Sequence, residues 1–258
     1  MANLIALHNI AHRNLRICPE KVETHGANLS MVPVMLSEFL KLVVQFPIAL
    51  SKNKDTGQFV CVAMFGFAEG ENLFCQNNQC DTLYTPLQIA RQPFFLGQDE
   101  QIQNKTNSDQ YQVCFDPDSN CLQKVDSPEK GSEALFDEEG NVTPYLQRMQ
   151  SILAELLDGE SKTQAFVDKL LTMKLLQAMR LEISFDNGES QRINGMYTID
   201  EEKLNALPGE SILELHQLGY LPYIYAMIAS MGQIYSLVQR KNSRLATEQS
   251  ANLKSVSI

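Results

Sequence analysis

At Thr143-Pro144 the hydrophobic period of this 258-residue chain changes, and that change constrains its fold more than any other feature. After it, Leu146, Met149, Ile152, Leu153, Leu156 and Leu157 recur at three- and four-residue steps, one apolar face of a helix that Thr143 caps and Pro144 starts. Gly159 is expected to end that helix, and a second begins near Lys162 with Phe166, Leu170 and Leu171. Before it, apolar residues fall into short runs of strand type: Phe46 to Leu50, Phe59 to Phe67, Glu71 to Cys75, Tyr111 to Phe115 and Cys121 to Val125. Asn53 to Gly57 reads as a hairpin connection, and Tyr111–Phe115 is expected to pair with Cys121–Val125. A helix over Leu36 to Gln45, apolar at Leu36, Phe39, Leu40 and Val43, covers the sheet.

The helical half carries one inserted hairpin. Arg180 to Phe185 and Gln191 to Ile199 alternate across Asn187-Gly188, a dipeptide whose backbone freedom suits a two-residue turn. Asp200 caps a short helix to Leu207, Pro208-Gly209 interrupts, and two further helices end near Gly219 and Arg240. The pattern predicts an α+β fold: an antiparallel sheet with a covering helix in the N-terminal half, and a helical C-terminal half holding a β-hairpin. A single domain over 1–240 is expected, β-rich in 1–125 and mainly helical in 143–240. Residues 241–258 read as a flexible tail, and the polar stretch 97–110 as an exposed loop.

Charge narrows the partners. The net charge is −10, with 9 basic against 20 acidic residues in 111–239, so most of the surface repels a phosphate backbone and a nucleic-acid partner is not expected. Leu218 to Leu237, the most apolar long stretch, is broken by Gly219, Pro222, Gly232 and Gln233, so no membrane span is read there. The opening residues put positive charge after a short apolar patch, the reverse of a secretory signal, which predicts a cytoplasmic protein, with surface association by a signal-independent route left open.

Six cysteines, Cys18, Cys61, Cys75, Cys80, Cys114 and Cys121, show no paired Cys-x2-Cys spacing, so neither a structural zinc site nor a disulfide framework is expected. Cys61 reads as a small core residue. Cys114 and Cys121 flank a turn and are the one candidate disulfide pair, disfavoured by an expected reducing compartment. His8 and His12 stand one helical turn apart without a clustered carboxylate, so they predict no metal, and no cofactor motif is present. Ser127-Pro128-Glu129-Lys130 matches Ser-x-x-Lys only in its letters. His25 and His216 are isolated in sequence.

One block carries more identity than chemistry. Gly66 to Phe95 runs through Gly70-Glu71-Asn72, then Tyr84-x-Pro86 and Arg91-x-Pro93-Phe94. Together with His12-Arg13-Asn14-Leu15-Arg16, Val32-Pro33, Glu38-Phe39, Phe46-Pro47, Gly195-x-Tyr197, Asp200-Glu201, Leu204 and Leu207, it resembles the bacterial SapC family, named after an S-layer-associated protein and distinct from the peptide permease and the saposin of similar name. The resemblance spans about His12 to Leu237. The chain departs from the family pattern in having no tryptophan after the Gly-Glu-Asn strand, a reduced basic pair before Pro93-Phe94, and no histidine at Ile224-Tyr225-Ala226-Met227. The polar set within the family-like motifs is His12, Arg16, Glu38, Glu71, Asn72, Tyr84 and Arg91, and these are the candidate ligand-binding residues. A Glu38–Arg91 pair fixing helix to sheet is the plainest structural role for two of them. An anion held bidentately by Arg16 or Arg91 and oriented by Tyr84 and Asn72 is the functional one. The reading is a non-catalytic binding or accessory protein; the alternative is an enzyme of unrecognised type with a His/Arg/Glu site in the N-terminal half. The resemblance implies a protein or peptide partner, in a system with a flavin-dependent halogenase, a cupin-like oxygenase and an outer-membrane receptor; Tyr220, Tyr223, Tyr225 and Tyr235 supply either an interface for such a partner or core packing, and a homo-oligomer is the other partner expected.

Overall fold

A computed structural model describes residues 4–53, 56–77, 79–98, 111–124 and 131–255. The chain is α+β, 40% helix and 26% strand, and its antiparallel sheets lie mostly in the N-terminal half. Where a single domain over 1–240 was expected, contacts divide the chain into two compact units, residues 1–26 with 87–158 and residues 27–86 with 159–258. The chain passes from one unit to the other three times, after residues 26, 86 and 158, which local periodicity does not register.

The first unit is built from short strands. Ile5–Ala6, Tyr111–Phe115 and Phe94–Gln98 form one three-stranded sheet, with Tyr111–Phe115 central; Leu122–Lys124, Leu15–Ile17 and Glu133–Ala134 form another, with Leu15–Ile17 central. The expected pairing of Tyr111–Phe115 with Cys121–Val125 does not form, because each strand finds a longer-range partner, Phe94–Gln98 and Leu15–Ile17 respectively. Ile17, Phe94, Phe115, Cys121 and Leu135 pack with Leu146, Met149 and Leu153 in one apolar cluster. The last three come from the helix that opens at Pro144, where the Leu146 amide donates to Thr143 Oγ1 at 3.4 Å. Residues 99–110 and 125–130, which include most of the predicted loop and the Ser-x-x-Lys match, lie outside the described residues.

The second unit centres on a five-stranded antiparallel sheet in the order Leu176–Ser184, Ser190–Ile199, Ile48–Lys52, Phe59–Met64, Met31–Pro33. The Asn187-Gly188 hairpin forms as its period-two pattern requires and supplies the first two strands. The expected covering helix is shorter than its apolar spacing suggests, a 3-10 turn over Leu36–Glu38 followed by one α-turn over Phe39–Leu42. Phe39, Phe166, Tyr220 and Tyr223 meet edge to face, with ring centroids 5.2 to 6.4 Å apart. Fully buried Ser230 accepts the Ile48 amide at 2.9 Å and donates to the Met227 carbonyl at 2.7 Å, pinning helix Leu221–Ser230 to a central strand.

Gly159 does not end a helix. One helix runs from Pro144 to Thr172, and a Cβ on Gly159 would stand 2.9 Å from Met35 Cγ, so the glycine marks a close packing contact inside the second unit. Asp200 caps helix Glu201–Asn205 by accepting the Lys203 amide at 3.1 Å. Helix Gly209–Gln217 follows, and the expected last helix is two, Leu221–Ser230 and Gln233–Ser255, separated at Met231-Gly232. The segment expected as a flexible tail is therefore helical as far as Ser255. Residues 221–249 reach a mean hydropathy of 1.2 in their most apolar window, of which 28% is buried.

Candidate functional site

The seven sequence-predicted residues fall three in the first unit and four in the second. In the first, Arg16 Nε donates to Ser132 Oγ at 2.9 Å and Nη2 to the Ser132 carbonyl at 2.6 Å, tying strand Leu15–Ile17 to the chain before Glu133. Arg91 Nε donates to Gln88 Oε1 at 2.8 Å and Nη1 to the Phe94 carbonyl at 2.8 Å, and its guanidinium lies 4.2 Å from the Phe95 ring centroid. Burial lowers its proton affinity without changing its charge at neutral pH. The His12 ring packs edge to face on Phe115, and its Nδ1 accepts the His8 amide at 2.9 Å. Burial and neighbouring His8 both lower the His12 pKa. Among the described residues no group of three or more His, Cys, Asp or Glu side chains is arranged to hold a metal ion.

In the second unit Glu38 is fully buried and takes the Met35 amide at 2.8 Å on Oε2 and the Tyr84 hydroxyl at 3.2 Å on Oε1. Those bonds fix the turn before Phe39 and orient Tyr84, over which Lys41 Nζ stands at 5.2 Å. A carboxylate on a tight turn accepts that turn's own amide, as Glu38 does here, and Glu38 and Arg91 each have hydrogen-bond partners within their own unit.

Glu71 and Asn72 stand at a built corner. The chain folds back so closely that a Cβ on Gly66 would lie 2.4 Å from the Glu71 carbonyl oxygen, which only glycine permits. Glu71 Oε2 accepts the Phe67 amide at 3.0 Å and Oε1 accepts Lys241 Nζ at 2.6 Å, in an ion pair whose side chains are 11% and 18% exposed. Burial by itself would raise the Glu71 pKa; the Lys241 ammonium and the Phe67 and Ala68 amides outweigh it and hold the carboxyl below its ordinary range. Asn72 is buried and accepts the Phe74 amide on Oδ1 at 2.8 Å, while its carbonyl and that of Cys75 both accept Arg244 Nη2 at 2.9 Å. Arg240 stacks on Phe74, 4.4 Å from the centroid, and pairs with Asp81 at 3.0 Å.

Sequence reading missed these cations. Arg240 and Arg244 are one helical turn apart and Lys241 is beside them, a spacing that becomes informative only once 241–255 is known to be helical. It also missed the disulfide. Cys75 and Cys80 face each other across the short hairpin Cys75–Gln76/Gln79–Cys80 and are bonded, whereas Cys114 and Cys121, the pair weighed from sequence, are thiols, Cys114 in strand Tyr111–Phe115 and Cys121 in the turn before Leu122–Lys124. The expectation of six thiols is corrected accordingly.

Between this hairpin and helix Gln233–Ser255 opens a groove of about 910 Å³. Phe74 and Leu73 supply its apolar floor, and Gln76, Gln79, Gln239 and Ser236 are among the amides and hydroxyls along it, with Arg240 and Arg244 as its cations. Such a wall, which also carries the Asp81 carboxylate beside Arg240, offers donors and acceptors at many points, which suits recognition of a polar chain.

Comparison with known proteins gives one finding: the SapC family model matches residues 7–237. No curated protein and no solved structure matches the chain.

Proposed function

The chain belongs to the SapC family, and on that premise we propose that it is a non-catalytic binding or accessory protein whose ligand surface is the groove between the Cys75–Cys80 hairpin and helix Gln233–Ser255. The observation that carries the reading is the way the groove is held. A disulfide, a partly buried ion pair and two arginine anchors fix its walls, an investment in rigidity that preorganises a recognition surface. The ligand class it fits is a peptide or protein segment, whose amides and side-chain polar groups the glutamines, serines and arginines of the groove match. Partners from a halogenase, oxygenase or receptor system, as the family resemblance implies, are of that class; the net charge of −10 disfavours nucleic acid. The Cys75–Cys80 bond favours an oxidising compartment over the cytoplasm inferred from the opening residues. The enzyme alternative has less support, because Arg16, Arg91 and Glu38 are each engaged in holding local backbone.

Native mass spectrometry of the protein purified from its own host tests this. A polypeptide retained by the wild type and lost from a Gln79→Ala/Gln239→Ala variant of unchanged stability is the expected result. A retained small molecule that the protein chemically converts would overturn the reading in favour of an enzyme.

A further inference from the structure

In the first unit, strand Leu15–Ile17 pairs antiparallel with Leu122–Lys124, and Ile17 faces Leu122. One step further in that register Cys18 faces Cys121, and the Cys18 amide donates to the Cys121 carbonyl at 2.8 Å. Residues opposed across an antiparallel pair have Cα atoms about 4.5 to 5.5 Å apart, within the span a disulfide bridges. Both side chains carry thiols and both are enclosed, Cys121 completely and Cys18 at 4% exposure.

The surroundings of Cys121 are chemically specific. Ser119 Oγ lies 3.0 Å from its sulfur, His25 Nε2 lies 3.7 Å from it, and Ser119 Oγ and His25 Nε2 are 3.2 Å apart. Thus an imidazole and a hydroxyl converge on one of two facing thiols. Burial pushes the Cys121 thiol up, and the Ser119 hydroxyl opposes that shift; burial likewise keeps His25 neutral more readily, as a proton acceptor must be. The other two thiols differ. Cys61 faces Leu50 and Cys114 faces Phe95, so neither has a cysteine opposite it.

We propose that Cys18 and Cys121 are a second oxidisable pair, a thiol–disulfide exchange site at which His25 receives the Cys121 proton and Ser119 hydrogen-bonds the Cys121 sulfur. The co-reactant is a small-molecule disulfide of the glutathione class. Cys18, the less enclosed thiol, attacks one glutathione sulfur as its thiolate, expels a glutathione thiolate and becomes a mixed disulfide. Cys121 then gives its proton to His25 Nε2 and attacks the Cys18 sulfur, expelling the second glutathione thiolate. The two protein thiols lose two electrons and two protons; one oxidised glutathione becomes two glutathione thiols. The product links the start of Leu122–Lys124 to the end of Leu15–Ile17, closing the sheet that Arg16 also ties.

The experiment equilibrates the full-length protein with oxidised and reduced glutathione, with and without urea below the unfolding transition so that access does not decide the outcome, then alkylates and maps the linked peptides. The expected result is a Cys18–Cys121 peptide beside the Cys75–Cys80 peptide, and an intact mass lower by four hydrogens than that of the fully reduced chain. Cys121→Ser is expected to stop at glutathione on Cys18. His25→Asn is expected to slow formation of the Cys18–Cys121 link at least about tenfold without changing Cys75–Cys80, in line with loss of a positioned proton acceptor. Should His25→Asn fold poorly, Ser119→Ala reports on the same cluster, with a smaller slowing expected. Detection of the Cys75–Cys80 link alone at every glutathione ratio overturns the pairing, and an unaltered rate in both variants overturns the assigned roles of His25 and Ser119.

Discussion

Two short antiparallel pairings in this molecule each set one cysteine opposite another, and they solve the same problem by different means. The hairpin at Cys75 and Cys80 is two residues deep on each side. So small a ladder cannot bury enough to hold itself, and it is closed by a disulfide and anchored from helix Gln233–Ser255 through Lys241 and Arg244. The sheet around Leu15–Ile17 has strands scarcely longer, yet Ile17, Cys121 and Leu135 pass into an apolar cluster with Leu146 and Met149, and its cysteines remain thiols. Where a pairing is exposed, covalent and ionic ties replace packing; where it roofs a core, packing suffices.

That contrast can be broken by substitution, and the largest effect is expected at the packed sheet. Ile17→Ala removes a fully buried side chain and should cost about 2–5 kcal/mol in chemical denaturation, with faster alkylation of Cys121. If Ile17→Ala cost no more than a surface change, packing would not be what holds that sheet. At the hairpin, Lys241→Met leaves Glu71 with backbone amides as partners and should cost about 1.5–3 kcal/mol. Its pH signature has a definite sign. Because the folded-state pKa of Glu71 lies below the unfolded value of about 4.3, its contribution is fully present above that value and lost as pH falls through the lowered folded one. Stability of the wild type should therefore drop more steeply over that acid window than stability of Lys241→Met, in urea titrations at stepped pH.

Removing the disulfide by Cys75→Ser/Cys80→Ser should cost about 2 kcal/mol, since a loop this short restricts the unfolded chain modestly. A thermal shift much larger would mean that the bond also carries native contacts of the groove. The smallest stability effect is expected for Gln239→Ala, below about 0.5 kcal/mol. Its value lies in separation: loss of a retained polypeptide without loss of stability would assign the groove to recognition.

Residues differ in how far their roles were legible. The Asn187-Gly188 hairpin and the Asp200 cap depend on neighbours within a few positions, and both form as their spacing requires. Gly159 was misread as a helix stop because glycine interrupts helices locally; what it answers to is Met35, far away in sequence. The site shows the same division. Glu71 and Asn72 stand out in sequence within their glycine turn, whereas Lys241 and Arg244, about 170 positions later, looked like a solvated tail.

By itself the sequence determined the α+β class, the change of period at Thr143 and the family to which the chain belongs, because these follow from local periodicity and from ordered short motifs. Only the tertiary structure decided which strands pair, which cysteines face each other and which cations meet Glu71 and Asn72. Those outcomes depend on contacts between residues distant in the chain, and neighbouring residues carry no record of such contacts.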